Sequence, residues 1–138
     1  MNLTALQQDN VRTILSTNGA VIGYLFGSYA RGTAGHLSDL DVAVAFPLDM
    51  SKENQENRVE DIRSELEKIF GRDKADVVNI AETNNPLLRY IIMLGEGIPL
   101  FVDDLPMRNR LAMYARQEYE DTNHLRMIQG QVLSKLFA

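Results

Sequence analysis

The strongest constraint on the fold is a two-residue alternation along residues 39–46, DLDVAVAF. Successive side chains of a β-strand point to opposite faces of its sheet, so the alternation separates two sets of residues. One set is apolar and consists of Leu40, Val42, Val44 and Phe46; the other consists of Asp39, Asp41, Ala43 and Ala45. The pattern predicts a strand with one face in a core. The other face carries two carboxylates beside small side chains, where a ligand has room.

Asp39 and Asp41 point to the same side of that strand, so their carboxylates can ligate shared cations. Mg²⁺ prefers oxygen ligands and is commonly held by carboxylates together with substrate phosphates. Two such ions, about 3.5–4 Å apart, can stabilise both the attacking and the leaving oxygen of a displacement reaction. The alternative is a pair of solvated acids where the strand begins, so the interpretation depends on what lies nearby in the chain.

A Gly-Ser pair precedes these acids at residues 27 and 28, with ten residues between Ser28 and Asp39. An apolar run at 20–26 predicts a buried strand that turns at Gly27 into a short helix ending near Gly32. Glycine lets a backbone approach a phosphate closely, and the start of a helix offers free N–H groups. A serine-capped turn is the alternative for an isolated Gly-Ser pair. The Asp-x-Asp at this spacing favours a nucleotide site instead.

Composition limits the class of protein. The chain has 138 residues, 45% of them apolar, which predicts one folded domain over residues 1–138. A net charge of −5 argues against direct nucleic-acid binding, and the absence of cysteine excludes disulfides and thiolate metal sites. No apolar run approaches the roughly 20 residues that span a bilayer, and the first residues lack the pattern of a signal peptide. We therefore expect a cytoplasmic protein with no membrane association.

Further elements are predicted from apolar periodicity and capping residues. Thr4 to Gln7 has the form of a capping box for a first helix that stops at Asn18-Gly19. The other elements are a helix at about 52–70, a strand at 75–80, a helix from 86 through 94, a strand at 98–102 and a helix at about 107–136. The buried stripe of the helix at 52–70 is predicted to be Val59, Ile62, Leu66 and Ile69. Pro99 indicates an edge position for the last strand, because proline cannot donate to a sheet ladder.

The last helix belongs to a C-terminal segment of about 104–138, capped by Asp103 or Asp104. Its apolar positions recur at near-helical spacing and are Leu111, Ala115, Tyr119, Thr122, Leu125, Val132 and Leu136. Thirty residues would extend about 45 Å, longer than a small domain needs to cover its sheet. Two interpretations stay open. Either part of the helix projects and meets another chain, in a homodimer or a hetero-oligomer, or the helix breaks near Gly130 and packs back.

The segment GSYARGTAGHLSDLDVAV, residues 27–44, resembles the hallmark of the DNA polymerase β-like nucleotidyltransferase superfamily. The short chain is similar to the minimal nucleotidyltransferases (MNT domains), many of which are MntA-like antitoxins paired with HEPN-domain toxins. The order of the predicted elements fits the same fold. The resemblance therefore implies an α+β protein with a small mixed sheet of about four strands, helices packed mainly on one face, and a long C-terminal helix.

The resemblance also implies roles for particular residues. A third acid usually lies on a strand after the intervening helix, where this chain has Asp76; Asp73 is a rival, but it precedes the predicted strand. Arg31 can reach a phosphate or pair with a nearby acid, and Ser38 supports the approach to Asp39. The nucleotide-binding candidates are Gly27, Ser28, Arg31 and Ser38, and the catalytic and metal-binding candidates are Asp39, Asp41 and Asp76.

The function that the resemblance implies is Mg²⁺-dependent transfer of AMP from ATP to a tyrosine hydroxyl of a cognate HEPN toxin, an RNase-like protein that is thereby inactivated. Two alternatives stay open. The chain could be an antitoxin that blocks its toxin by binding alone, through the C-terminal helix. It could also be a small-molecule (antibiotic) nucleotidyltransferase, although only about thirty residues follow the fourth strand, too few for the helical domain such enzymes commonly add.

Overall fold

The computed structural model of the protein describes the backbone of residues 2–137 and the side chains of residues 2–122. The helices are α1 Ala5–Thr17, α2 Gly27–Arg31, α3 Lys52–Phe70, α4 Pro86–Tyr90 and α5 Leu105–Phe137. The strands are β1 Ile22–Phe26, β2 Leu40–Ala45, β3 Ala75–Asn79 and β4 Ile98–Val102, and a π-helical turn, Ile91–Gly95, continues α4. The predicted α+β class with four strands is confirmed.

The four strands form one mixed sheet in the order β3-β2-β1-β4. β1 runs antiparallel to both β2 and β4, while β2 and β3 are parallel neighbours. β4 is therefore an edge strand, as Pro99 predicts, because a proline without an N–H is tolerated where the ladder ends. The parallel pairing of β2 with β3 requires the long crossover that α3 supplies.

One face of the sheet is covered by α1 and α3. Leu25, Val42 and Val44 of the two central strands lie in the same apolar cluster as residues from both helices. The helix residues at its centre are Val11, Leu15, Ile62 and Leu66, all fully buried. Ile69, predicted for this stripe, is instead 46% exposed, and the neighbouring Phe70 packs against the cluster in its place.

The opposite face is covered by α4, the π-helical turn and α5. Its cluster combines Ile22, Tyr24, Phe26, Ala43 and Ala45 of the sheet with Ile80, Ile92, Met93, Met107 and Ala115. The helices are thus distributed over both faces, rather than mainly on one face as predicted. The physical reason is that β1 and β2 are apolar on both sides, so each side must be buried.

Helix starts follow the predicted capping chemistry. Thr4 Oγ1 accepts from the N–H of Gln7 at 3.1 Å, and Gln7 Oε1 accepts from the N–H of Thr4 at 2.9 Å, which completes the capping box. At the start of α5 the N–H of Met107 donates to Asp104 Oδ1 at 3.0 Å, so Asp104 and not Asp103 is the cap. Such caps satisfy N–H groups that have no partner within the helix.

α5 is one continuous helix of 33 residues that runs through Gly130, so of the two interpretations left open, the one with a break in the helix does not hold. At 1.5 Å per residue it is about 50 Å long. Ala115 is fully buried and Leu111 packs against the same cluster, in line with the predicted apolar positions. Leu125, Val132 and Leu136 lie outside the residues whose side chains are described. Within the described chain, no helix combines the length and the apolar character needed to cross a bilayer.

Arg89 connects α5 to the rest of the domain through an ion pair and hydrogen bonds. Its side chain is only 4% exposed, and it forms an ion pair with Glu118 of α5. Its guanidinium also donates to the backbone carbonyl oxygens of Ile80 and Thr83, and it lies 5.1 Å from the centre of the Tyr114 ring. A buried guanidinium needs such partners, because an unpaired buried charge is strongly unfavourable. Arg89 therefore joins the end of β3, α4 and α5 in one network.

Candidate active site

Gly27 and Asp41 lie side by side where β1 and β2 meet. Phe26, the last residue of β1, pairs with Asp41 of β2. Gly27 has φ +73°, and a Cβ at this position would collide with the carboxylate of Asp41, whose Cγ would lie 2.9 Å away. Only glycine fits here, because both the backbone angle and the space exclude a side chain. The turn at Gly27 and Ser28, which is predicted to bind phosphate and is called the phosphate turn below, is thus in direct contact with the strand that carries Asp41.

α2 begins at Gly27 without a side-chain cap. Phe26 occupies the N-cap position and makes no side-chain hydrogen bond. Ser28 is the second residue of the helix and is partly buried, and its carbonyl accepts from the N–H of Thr33 at 2.9 Å. The first N–H groups of an uncapped helix suit an anion, because they have no partner within the helix.

Asp76 lies directly beside Asp41 in the sheet. The two residues are paired in the parallel ladder of β2 and β3. Asp39 lies two positions before Asp41 and immediately before β2 begins at Leu40, although the sequence pattern placed it within the strand. Asp39 and Asp76 are exposed and Asp41 is partly buried, so the three acids occupy an open end of the sheet. Asp73 has φ +59° and precedes β3, away from this ladder.

The acids act on one another electrostatically. Burial, followed by the charges of Asp76 and Asp39, raises the pKa of Asp41 from 3.8 to about 6. Arg31 lowers the pKa of Asp41, and Glu96 raises it further. Excess negative charge therefore surrounds Asp41, and a cation would relieve it.

The donors at this site fit Mg²⁺ shared with a substrate. Among residues 2–122, no three His, Cys, Asp or Glu side chains are gathered closely enough to enclose an ion by themselves. Mg²⁺ is usually bound by one or two carboxylates plus phosphate oxygens and waters, and rarely by an all-protein cage. Carboxylates of Asp39, Asp41 and Asp76 supply hard oxygen donors with uncompensated charge, which is the set that such shared coordination needs.

Arg31 and Ser38 make local contacts. Arg31 Nη1 lies 2.9 Å from Glu96 Oε1, so the predicted alternative of an acid partner is the one that occurs. Ser38 Oγ accepts from the N–H of Gly35 at 2.8 Å, which closes the turn ahead of Asp39 and agrees with a supporting role. A phosphate contact by either side chain stays a prediction.

Sequence patterns did not single out Glu96. It lies between Gly95 and Gly97, a segment that the sequence marks only as the end of a helix. The one available signal is an acid placed between two glycines, which is common on protein surfaces. Its pairing with Arg31 depends on contacts 65 residues apart in the chain.

The three acids lie apart from the cavity beside α2. A cavity of about 490 Å³ lies between α1, α2 and β4, with Arg12, Tyr29, Arg31 and Leu100 in its wall. None of Asp39, Asp41 and Asp76 borders it. The acid cluster is instead an open surface, which can accept a large partner.

Comparison with known proteins identifies the family. The family profile described as "Polymerase beta, Nucleotidyltransferase" matches residues 9–104, most of the chain. A solved structure of a putative minimal nucleotidyltransferase is 32% identical, with 68% of this chain and 89% of that chain covered and a TM-score of 0.53. No curated protein sequence matches at a significant level.

Toxin–antitoxin structures share the fold over nearly the whole chain. A toxin–antitoxin crystal structure with AMP-PNP contains a chain that is 20% identical to this one. The alignment covers 95% of this chain and 98% of that chain, with a TM-score of 0.66. An MNT antitoxin in complex with a tri-AMPylated HEPN toxin of Shewanella oneidensis is 18% identical, with 96% and 98% covered and a TM-score of 0.62. The profile match and the 32%-identical minimal nucleotidyltransferase structure show that the chain belongs to the polymerase β nucleotidyltransferase family.

Proposed function

We propose that the protein transfers AMP from ATP, with Mg²⁺, to a tyrosine hydroxyl of a HEPN-domain RNase toxin, and thereby acts as its antitoxin. The family supports nucleotidyl transfer. Structures with the same fold include an antitoxin bound to a tri-AMPylated HEPN toxin and a toxin–antitoxin pair with AMP-PNP. The observation that carries the proposal is the contact of Gly27 with Asp41, itself paired with Asp76, because it joins a phosphate turn to an acid cluster.

In this proposal the start of α2 binds the triphosphate. Backbone N–H groups at Gly27 and Ser28 donate to phosphate oxygens, and the Ser28 hydroxyl adds a further donor. Asp39, Asp41 and Asp76 would hold Mg²⁺, which when bound supplies positive charge for the phosphates and the attacking oxygen. The close approach of Gly27 to Asp41 brings these two sets of groups together without an intervening side chain.

The reaction is an in-line displacement at the α-phosphorus. The acceptor oxygen forms a bond to that phosphorus, the bond to the bridging oxygen of the β-phosphate breaks, and pyrophosphate leaves. Asp76 accepts the hydroxyl proton, directly or through water. It is exposed and lies on the edge strand β3, so the hydroxyl of another protein has access to it.

An open acid cluster favours a macromolecular acceptor over a small one. Small-molecule sites are typically concave and bury most of their ligand. Here Asp39 and Asp76 are exposed, and neither borders the cavity between α1, α2 and β4. We place the reaction in the cytoplasm, where ATP and Mg²⁺ are available. α5 is the surface proposed to contact the toxin or a second copy.

The test is mass spectrometry of a candidate HEPN toxin after incubation with this protein, ATP and Mg²⁺. The wild type is expected to add one or more AMP units to a tyrosine, and Asp39→Asn with Asp41→Asn is expected to add none. The matched control is Asp49→Asn, the same chemical change at an exposed loop position.

Two results would contradict the proposal. If the double variant still neutralised the toxin without any AMP transfer, the chain would be a binding antitoxin. If the wild type modified a small molecule but no protein, the small-molecule alternative would replace it.

A further inference from the structure

Arg31 contacts one acidic residue and acts electrostatically on a second. Its guanidinium pairs with Glu96 at 2.9 Å, and its charge also acts on Asp41, whose neighbours are Asp39 and Asp76. The positive charge of Arg31 lowers the pKa of Asp41, which is the direction expected of a cation near a carboxylate. In this structure Arg31 pairs with Glu96 instead.

The position of Glu96 is set by tightly packed backbone. Its N–H donates to the carbonyl of Ile91 at 2.9 Å, at the end of the π-helical turn. A Cβ at Gly97 would collide with the carbonyl group of Ile92, its carbon lying 2.8 Å away. Ile98 pairs with Leu25 of β1, and the antiparallel register therefore brings residue 96 beside the end of β1, where α2 begins. Glu96 is thus held next to the phosphate turn.

The ion pair is weak enough to exchange. The side chains of Arg31 and Glu96 are 50% and 30% exposed. Exposed ion pairs contribute about 0–1 kcal/mol to stability. The pair therefore favours one position of the guanidinium but can break when another partner binds it. A bidentate contact of arginine with phosphate is stronger, and it would compete successfully when a triphosphate is present.

We propose that Glu96 is a positioning residue of the nucleotidyl-transfer site: it keeps Arg31 from pairing with the acid cluster, so that Asp39, Asp41 and Asp76 stay available for a divalent cation and the guanidinium stays beside the phosphate turn. The inference rests on the proposed function. Glu96 acts through Arg31, so the effect of removing Glu96 must disappear when Arg31 is removed as well.

The experiment is Mn²⁺ binding to the nucleotide-free protein, measured by electron paramagnetic resonance of the free ion. Glu96→Gln is expected to raise the Kd for Mn²⁺ by roughly fivefold, since the released Arg31 pairs with the acids. In the Arg31→Gln background the same change is expected to alter the Kd by less than about twofold. Glu96→Asp retains the charge and is expected to restore most of the affinity.

Glu82→Gln is the matched control. Glu82 forms its own exposed ion pair, with Lys52 at 3.8 Å, and lines a different surface with Phe46 at the other end of β2. Glu82→Gln removes the same charge from the protein as Glu96→Gln, so any general effect of net charge on Mn²⁺ binding appears in this variant too. Thermal unfolding of each variant confirms that the fold is intact.

The possible outcomes separate the two proposals. Loss of Mn²⁺ affinity in Glu96→Gln that vanishes without Arg31 supports the positioning role. An equal loss in both backgrounds, or no loss in either, overturns it while the proposed function stands. Absence of Mn²⁺ binding by the wild type, even with ATP present, overturns the metal-dependent function and this inference together.

Discussion

The carboxyl group of Asp41 occupies the space that a side chain at Gly27 would need. Gly27 directly follows β1 and Asp41 lies on β2, and Phe26, the residue before Gly27, pairs with Asp41 across the β1–β2 ladder. Gly27 also has φ +73°, an angle that side-chain-bearing residues rarely adopt. The position of Asp41 therefore requires glycine at residue 27. This is a steric reason for finding both residues in one sequence.

Gly27→Ala is expected to disrupt the site and to destabilise the fold. The alanine Cβ must displace the Asp41 carboxylate and adopt an unfavourable backbone angle, which we expect to cost at least about 1–2 kcal/mol. Urea unfolding measures the cost, and Mn²⁺ binding should weaken in parallel. Gly35→Ala is the control, because nothing lies within 4 Å of a Cβ there. Equal stability of the two variants would contradict the steric argument.

Asp41→Asn is expected to stabilise the protein at neutral pH while abolishing AMP transfer. Burial, with Asp76 and Asp39, raises the folded-state pKa of Asp41 to about 6, above its ordinary value of 3.8. The folded state therefore binds more protons between about pH 4 and pH 6, and its stability falls as the pH rises through that window. Above pH 6 the ionised carboxylate is fully unfavourable.

Replacement by asparagine should therefore add on the order of 1–2 kcal/mol at pH 7.5, after allowance for solvent screening, and almost nothing at pH 3.5. Urea unfolding of wild type and variant at both pH values is the measurement. A gain at pH 3.5 as large as that at pH 7.5 would show that the effect is unrelated to ionisation.

Asp76→Asn is expected to lower kcat for AMP transfer by at least about 100-fold, because the proposed proton acceptor and metal ligand is lost. The rate of AMP transfer is measured as the release of pyrophosphate in the presence of the toxin. Asp73→Asn is the matched control. Asp73 has φ +59°, which asparagine also tolerates, and it precedes β3. A larger loss in the Asp73 variant would exchange the proposed roles of the two residues.

Arg89→Met is expected to destabilise the domain by about 3–5 kcal/mol, because it leaves Glu118 and two backbone carbonyls without their partner. Chemical unfolding measures the loss. Arg63→Met is the control: Arg63 pairs with Glu60 at 2.6 Å on an exposed helix surface, where such pairs contribute less than about 1 kcal/mol. Similar losses of unfolding free energy in both variants would show that the burial of Arg89 does not increase its contribution to stability.

Local patterns predicted local structure well. The alternation along 39–46 separated the side chains of β2 into its two faces, and apolar periodicity predicted a helix at about 52–70, where α3 runs from Lys52 to Phe70. Such signals are local because strand pleating and cap hydrogen bonds involve residues a few positions apart. The prediction was less accurate for 86–94, where an α-helical turn passes into a π-helical turn, a distinction that apolar periodicity does not carry.

By itself, the sequence determined the strand faces, the helix ends and the spacing that brings Gly27 and Ser28 before Asp39 and Asp41, since these depend on backbone geometry over short distances. Only the tertiary structure decided that Asp76 lies beside Asp41, that Glu96 holds Arg31, and that helices cover both faces of the sheet. Those relations depend on strand register and on contacts between distant segments. Strand register and long-range contacts are determined by the burial of apolar surface over the whole chain, so a pattern of a few residues does not reveal them.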